Sequence, residues 1–321
     1  MNGLKITLLG WLVAGLFSIP EHATAREDVE GSRAAAAVPL RQALSPPNDR
    51  ATWLRGGSRL SYQDAGDPAN PLVILLHAAG HGSGDYAATV EALRTRYRVV
   101  ALDWPGQGRS DDDGTEPTVT AYAELLRSLI ARLGGGPVHL VGNSIGGGAA
   151  LLTAIEHPAL VASVTVANPA GLDEGGCIGA LYTRWMARRF ESAQADPQAF
   201  LAWFAKYYQQ VLPAEQARAQ RELIVAAGIE IAPVIGRAWR GFLRPENDLR
   251  SRLSQLRAPV LVTWAQRDTV VRWSRNRTAI ASIPQHQVHF FDAGHTPALE
   301  RPQAFVETLT AFLKSIERRQ P

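Results

Sequence analysis

Ser144 lies at the centre of Gly142-Asn143-Ser144-Ile145-Gly146, with an apolar run before it and an Ala- and Leu-rich stretch after it. A serine flanked in this way can be held at a sharp, exposed turn and used as a nucleophile. Its hydroxyl barely ionises at neutral pH, so such a role needs an imidazole to take the proton and a carboxylate to orient that imidazole. The matching chemistry is attack on a carbonyl. The negative oxygen formed there needs donors set in place beforehand, and the Ile145 N–H is one candidate because a helix beginning at Ile145 turns its unpaired N–H groups and positive end toward Ser144.

Such a turn must be positioned by a strand and a helix. Residues 138–143 read as a short buried strand, and residues 145–157 as a helix that Pro158 stops. Gly142, Gly146, Gly147 and Gly148 leave the room that a tight strand-to-helix junction requires. The same reading extends along the chain. Residues 52–55 and 59–64, joined by Gly56-Gly57, suggest an antiparallel hairpin. Residues 72–77, 98–103, 138–143, 163–168, 260–264 and 288–291 are apolar runs of the kind buried on both faces of a parallel sheet. Helical spacing lies between most of them, at residues 85–97, 119–133, 145–157, 273–283 and 302–317. The expected fold is α/β, a mostly parallel eight-stranded sheet flanked by helices and interrupted by a helical cap insertion at residues 172–257. The core is then residues 51–171 and 258–321.

Two strand-like runs end beside residues that could complete the site. Asp268 follows residues 260–264, and His295 follows residues 288–291. Asp173, after the run ending near Asn168, is the rival acid. His139, His157, His286 and His289 lie in or beside strands and helices and read as packing or surface residues. His81 is four residues from His77, but Gly80 and Gly82 argue for a loop with no partner ligands, so no metal site is expected.

From about Thr52 onward the chain resembles the α/β-hydrolase superfamily, in particular its capped serine hydrolases of esterase or lipase type. The resemblance rests on His77-Ala78-Ala79-Gly80, on residues 103–110 (Asp-Trp-Pro-Gly-Gln-Gly-Arg-Ser), on residues 142–146, on the Asp268 segment and on Gly294-His295-Thr296-Pro297, all in the family's order. It implies a triad of Ser144, Asp268 and His295, with Ala79 N–H as the second oxyanion donor beside Ile145. Ala78 stands where the usual pattern has glycine. The implied activity is cleavage of a carboxylic ester or related acyl bond through an acyl-enzyme. Lactone hydrolysis, carbon-carbon bond hydrolysis and aminopeptidase action use the same triad, and a non-catalytic ligand-binding member is a further alternative. The tryptophan common after the histidine in carbon-carbon hydrolases is absent, since Thr296 follows His295. The Gly106-Gln107-Gly108 segment lacks the rest of a dinucleotide-binding pattern, so no cofactor is expected.

Composition bounds the remaining possibilities. Hydrophobic residues are 46% and charged residues 20% of 321, with a formal net charge of +3 and no long single-sign run. That pattern argues against disorder and against a nucleic-acid partner. The expected partner is a small, apolar acyl substrate, and no stable transmembrane partner is implied. The insertion is rich in aromatics; its Trp185, Trp203 and Trp239, with Trp104 from the loop at residues 103–110, are candidates for the substrate pocket. Lys5, the apolar run 6–19, Pro20 and Ala23-Thr24-Ala25 resemble a signal peptide cleaved after Ala25, which predicts export to the periplasm or medium. Fourteen helical residues span roughly 21 Å of a roughly 30 Å hydrocarbon core, so an uncleaved membrane anchor is the lesser alternative. Residues 26–50 read as a linker or loosely attached arm. The single cysteine, Cys177, excludes an intramolecular disulfide.

Overall fold

The computed structural model describes residues 38–48, 50–173 and 176–318. The expected signal peptide therefore lies outside the described residues. Eight strands form one sheet in the order β1-β2-β4-β3-β5-β6-β7-β8. These are β1 (Arg50–Arg55), β2 (Ser58–Ala65), β3 (Leu72–Leu76), β4 (Arg98–Leu102), β5 (Val138–Asn143), β6 (Val161–Ala167), β7 (Val260–Ala265) and β8 (His286–Phe291). β1 pairs antiparallel with β2, and β2 with β4; every later pairing is parallel. Gly56 and Gly57 turn the opening hairpin with φ of 57° and 88°.

The central strands are apolar without interruption because both faces of the sheet are covered. Leu72, Ile74 and Leu76 face one layer with α2 (Val119–Arg132) and α3 (Ile145–Glu156). Val73 and Leu75 alternate to the other face, against α1 (Ala87–Leu93) and α10 (Pro302–Glu317). β8 is the exception. It is an edge strand with alternating partial exposure, and its first two residues carry no apolar signal, so the sequence shows only its later half.

Between β6 and β7 the chain makes α4 (Gly176–Glu191), α5 (Pro197–Val211), α6 (Arg218–Ala226) and α7 (Gly228–Gly241). Phe190, Phe200, Phe204, Ile231 and Ile235 give this insertion its own buried core. α8 (Trp273–Ala281) and the short α9 (Pro297–Glu300) follow β7 and β8.

Residues 38–48 correct the expectation of a loose arm. Leu44 is fully buried in the core of the insertion. The Leu40 and Arg41 amides donate to Glu230, Arg41 Nη1 donates to the Gly108 and Ser110 carbonyls, and Ser45 Oγ donates to Asp103 Oδ1 at 2.6 Å. One buried leucine and these bonds tie the segment to the insertion and to residues 103–110 after β4. Polar and proline-rich composition alone does not reveal that. Among the described residues no helix is long and apolar enough to cross a membrane.

Candidate active site

β5 runs into Ser144 and α3 starts at the next residue. Ser144 has φ 54° and ψ −118°, a conformation that a non-glycine residue keeps only where its surroundings enforce it. The amide of Ser144 donates to Ala167 O at 2.9 Å, and its carbonyl accepts from Gly148 N and Ala170 N. The neighbours must be glycine for a steric reason. A Cβ on Gly146 would stand 2.4 Å from the Leu76 carbonyl oxygen, and one on Gly142 would stand 2.4 Å from Gly146 O.

Across the sheet, the loops after β7 and β8 bring Asp268 and His295 together. His295 Nδ1 lies 2.7 Å from Asp268 Oδ2, and both side chains are buried. A carboxylate can only accept there, so it places the ring proton on Nδ1 and leaves Nε2 as the basic nitrogen. Burial works against the imidazolium, but the charge and hydrogen bond of Asp268, aided by Glu300 and Asp85, outweigh it. The His295 pKa is consequently held above the ordinary histidine value. Asp173, the rival acid, is exposed and its carboxylate approaches Arg275 Nη1 at 3.9 Å.

Three further residues fix this geometry, and none had a signal in the sequence beyond residue type. Asn168, itself at φ 43°, donates to Asp268 Oδ2 at 2.6 Å while its Oδ1 accepts from Ala265 N. Asp268 Oδ1 accepts from the Val270 and Val271 amides, so the carboxylate cannot rotate. Asn143, beside the serine, donates to His295 O and accepts from Thr296 Oγ1. Glu300 is fully buried; its Oε1 accepts from the Gly294, His295 and Thr296 amides and its Oε2 from Ala214 N in the insertion. Each acts on backbone or on a residue distant in sequence.

Ser144, Ala79 and His295 line one small cavity of about 40 Å³, together with His81, Tyr208 and Trp239. In the Ala79 loop the Gly80 amide is used by Gln107 Oε1 at 2.6 Å, and Gln107 is in turn held by Tyr122. This bond fixes the loop beside the serine. Ile145 is fully buried at the first position of α3. Ser144 and Trp239 also line a second cavity of about 330 Å³, with Asp173, Tyr182, Phe242 and Arg275 at its wall.

The tryptophan expectations are corrected for three of four residues. Trp104 is completely buried, stacks on Tyr122 at 4.1 Å and donates its indole N–H to His77 O. Trp203 packs on Tyr207 and Phe190 inside the insertion, and Trp185 is half exposed on its surface. None of the three lines either cavity beside Ser144. Residue type does not say which way a ring faces, because packing sets its direction. His77 is structural: buried, it donates from Nδ1 to Ala78 O and accepts the Trp104 amide at Nε2, and burial keeps its pKa low.

A mostly parallel sheet with a strand-serine-helix turn and a buried His–Asp pair at its strand ends defines the α/β-hydrolase class. Residues 73–308 match the model of the alpha/beta hydrolase family, and the chain belongs to that family. It is similar to 2-hydroxy-6-oxo-6-phenylhexa-2,4-dienoate hydrolase of Burkholderia cepacia, at 28% identity over 274 residues, 79% of this chain and 91% of that one. It is also similar to 3-oxoadipate enol-lactonase 1 of Acinetobacter baylyi, at 27% identity over 267 residues, 82% of this chain and 96% of that one. Among solved structures, a bacterial membrane phospholipase A aligns with a TM-score of 0.68 and 25% identity, covering 87% of this chain and 89% of the other.

Proposed function

We propose that this hydrolase cleaves a carboxylic ester or related acyl bond through an acyl-enzyme on Ser144. The observation that carries the reading is the buried Asp268–His295 pair at 2.7 Å, whose histidine lines the same cavity as Ser144 at its strained turn. His295 Nε2 takes the Ser144 proton as Oγ attacks the carbonyl carbon. The oxyanion is met by the backbone N–H groups of Ile145 and Ala79, which need no proton transfer of their own. His295 then returns the proton to the leaving group, the C–O bond breaks and the acyl-serine remains. Water, deprotonated by His295, attacks the acyl carbon and releases the acid while the proton returns to Ser144. Asp268 keeps one tautomer and steadies the imidazolium in both halves.

Carbon-carbon and lactone bonds are the second reading, favoured by the names of the two curated relatives. The residue after the histidine weighs against carbon-carbon cleavage: Thr296 is fully buried and spends its hydroxyl on Asn143 rather than facing either cavity. The test is turnover of activated esters, lactones and a vinylogous diketone by wild type and Ser144→Ala. The proposal expects ester turnover, a covalent adduct with a fluorophosphonate on Ser144, and a loss of roughly 10³-fold or more in the variant. Ester turnover retained by Ser144→Ala would sink it.

A further inference from the structure

α4 carries an apolar stripe on its outer side. Nine large apolar side chains are exposed among the described residues, and four of them fall within eight positions of this one helix: Ile178 (76%), Leu181 (64%), Tyr182 (43%) and Trp185 (51%). Their i, i+3, i+4, i+7 spacing puts them on a single face. Met186, Ala187 and Phe190 supply the buried face that holds the helix on the insertion, so the outer stripe is surplus to folding. A contiguous apolar face of this kind left in water marks an interaction surface.

Its charge and its position identify the partner. From Gly176 to Phe190 the helix has no acidic residue, while Arg184 and Arg188 are exposed beside the stripe. Arg189 already stacks over Trp203, and Glu191, at the far end, is paired with Arg240. Arg275, near the start of the helix, faces the Asp173 carboxylate at 3.9 Å and adds no net charge to the stripe. Apolar side chains flanked by arginines, with no carboxylate among them, match the interface of an anionic bilayer: acyl chains below, phosphate groups above. The stripe also meets the mouth of the site. Tyr182 belongs to both the stripe and the wall of the 330 Å³ cavity that reaches Ser144, and Gly179, Ala180 and Thr183 line that cavity from the same helix.

We propose that the outer face of α4 docks the protein on an anionic phospholipid surface, so that acyl substrates enter the larger cavity from the lipid phase rather than from water. The docking stands on the helix face alone; the delivery of acyl substrate rests on the acyl-hydrolase reading. Burying an Ile- or Leu-sized side chain changes partitioning by on the order of tenfold or more. Each arginine near an anionic surface is worth about fivefold.

The experiment is flotation of the full-length chain with vesicles of phosphatidylcholine alone and of equal parts phosphatidylcholine and phosphatidylglycerol. Turnover of dissolved p-nitrophenyl acetate is measured alongside. Ile178→Ser with Leu181→Ser is expected to lower vesicle affinity at least about tenfold. Arg184→Gln with Arg188→Gln is expected to lose about 25-fold on phosphatidylglycerol vesicles and little on phosphatidylcholine. Neither pair lines the two cavities beside Ser144, so turnover of the dissolved ester should stay at the wild-type rate and report intact folding. Wild-type flotation by the Ile178/Leu181 variant overturns the inference, whether residues 1–37 or a second copy of the chain cover the stripe instead. Arginine variants that lose affinity equally on both vesicles overturn the anionic part. A wild type that floats but leaves the dissolved ester untouched refutes the acyl-hydrolase reading and leaves the docking surface standing.

Discussion

Glu300→Gln tests how the histidine loop is held. The Glu300 carboxylate is fully buried and accepts four backbone N–H groups, three on the His295 loop and one from Ala214. Glutamine has one oxygen. If that oxygen keeps the three loop amides, its NH2 is forced against Ala214 N, and one charge-assisted bond is replaced by two facing donors. Such a loss costs about 2 kcal/mol, which in a domain of this size lowers Tm by roughly 3 °C. The second effect is electrostatic. Glu300 is among the charges that raise the His295 pKa, and removing it lowers that pKa. In the proposed mechanism His295 acts as a neutral base, so kcat/KM on p-nitrophenyl acetate is expected to fall as pH drops through that pKa. The acid limb of the wild type is expected above the ordinary histidine value, and the Glu300→Gln limb at lower pH. The assay is the pH profile of kcat/KM beside a melting curve. A variant whose Tm falls while its acid limb stays put or moves upward would refute the electrostatic argument, and unchanged Tm would refute the hydrogen-bond argument.

Asp268→Asn removes the acceptor that sets the His295 tautomer and should cost roughly 10³- to 10⁴-fold in kcat, whereas Asp173→Asn should leave kcat within a few-fold; single-turnover kinetics on an activated ester separates the two. Gly146→Ala should destabilise the fold by more than about 3 kcal/mol, because its Cβ would meet the β3 backbone at 2.4 Å. Gly147→Ala, with nearest contacts at 3.0 Å, should be milder, as denaturant midpoints would show. His139 is buried against Ser163 and burial lowers its pKa to about 4. The unfolded chain then binds a proton that the folded chain does not, so this contribution is present above about pH 6.5 and is lost as pH falls toward 4. Between about pH 7.5 and about pH 5 the wild type should lose about 2 kcal/mol more than His139→Gln in urea titrations.

Much of the architecture is legible along the chain because each strand of a doubly covered sheet is a continuous apolar run. β3 and β5 are readable from five or six consecutive residues. The turn at Ser144 is legible for the same local reason: the glycines that avoid Leu76 O and Gly146 O lie within two residues of it. β8 is half hidden because one of its edges faces no further strand. The arm at residues 38–48 is misread because its decisive contact, Leu44 in the core of the insertion, is with helices more than 140 residues later.

The sequence by itself determined what depends on neighbours along the chain: the α/β alternation, the elbow around Ser144, and the placing of Asp268 and His295 just after strands. Only the tertiary structure decided what depends on directions in space. It turned Trp104 into the core and Trp239 toward the site, set Asn168 against Asp268, and used Glu300 to gather amides from two separate loops. It also left the apolar face of α4 in solvent. Local patterns follow from the fixed periods of strand and helix, whereas the facing of a side chain follows from which distant surface the folded chain brings against it.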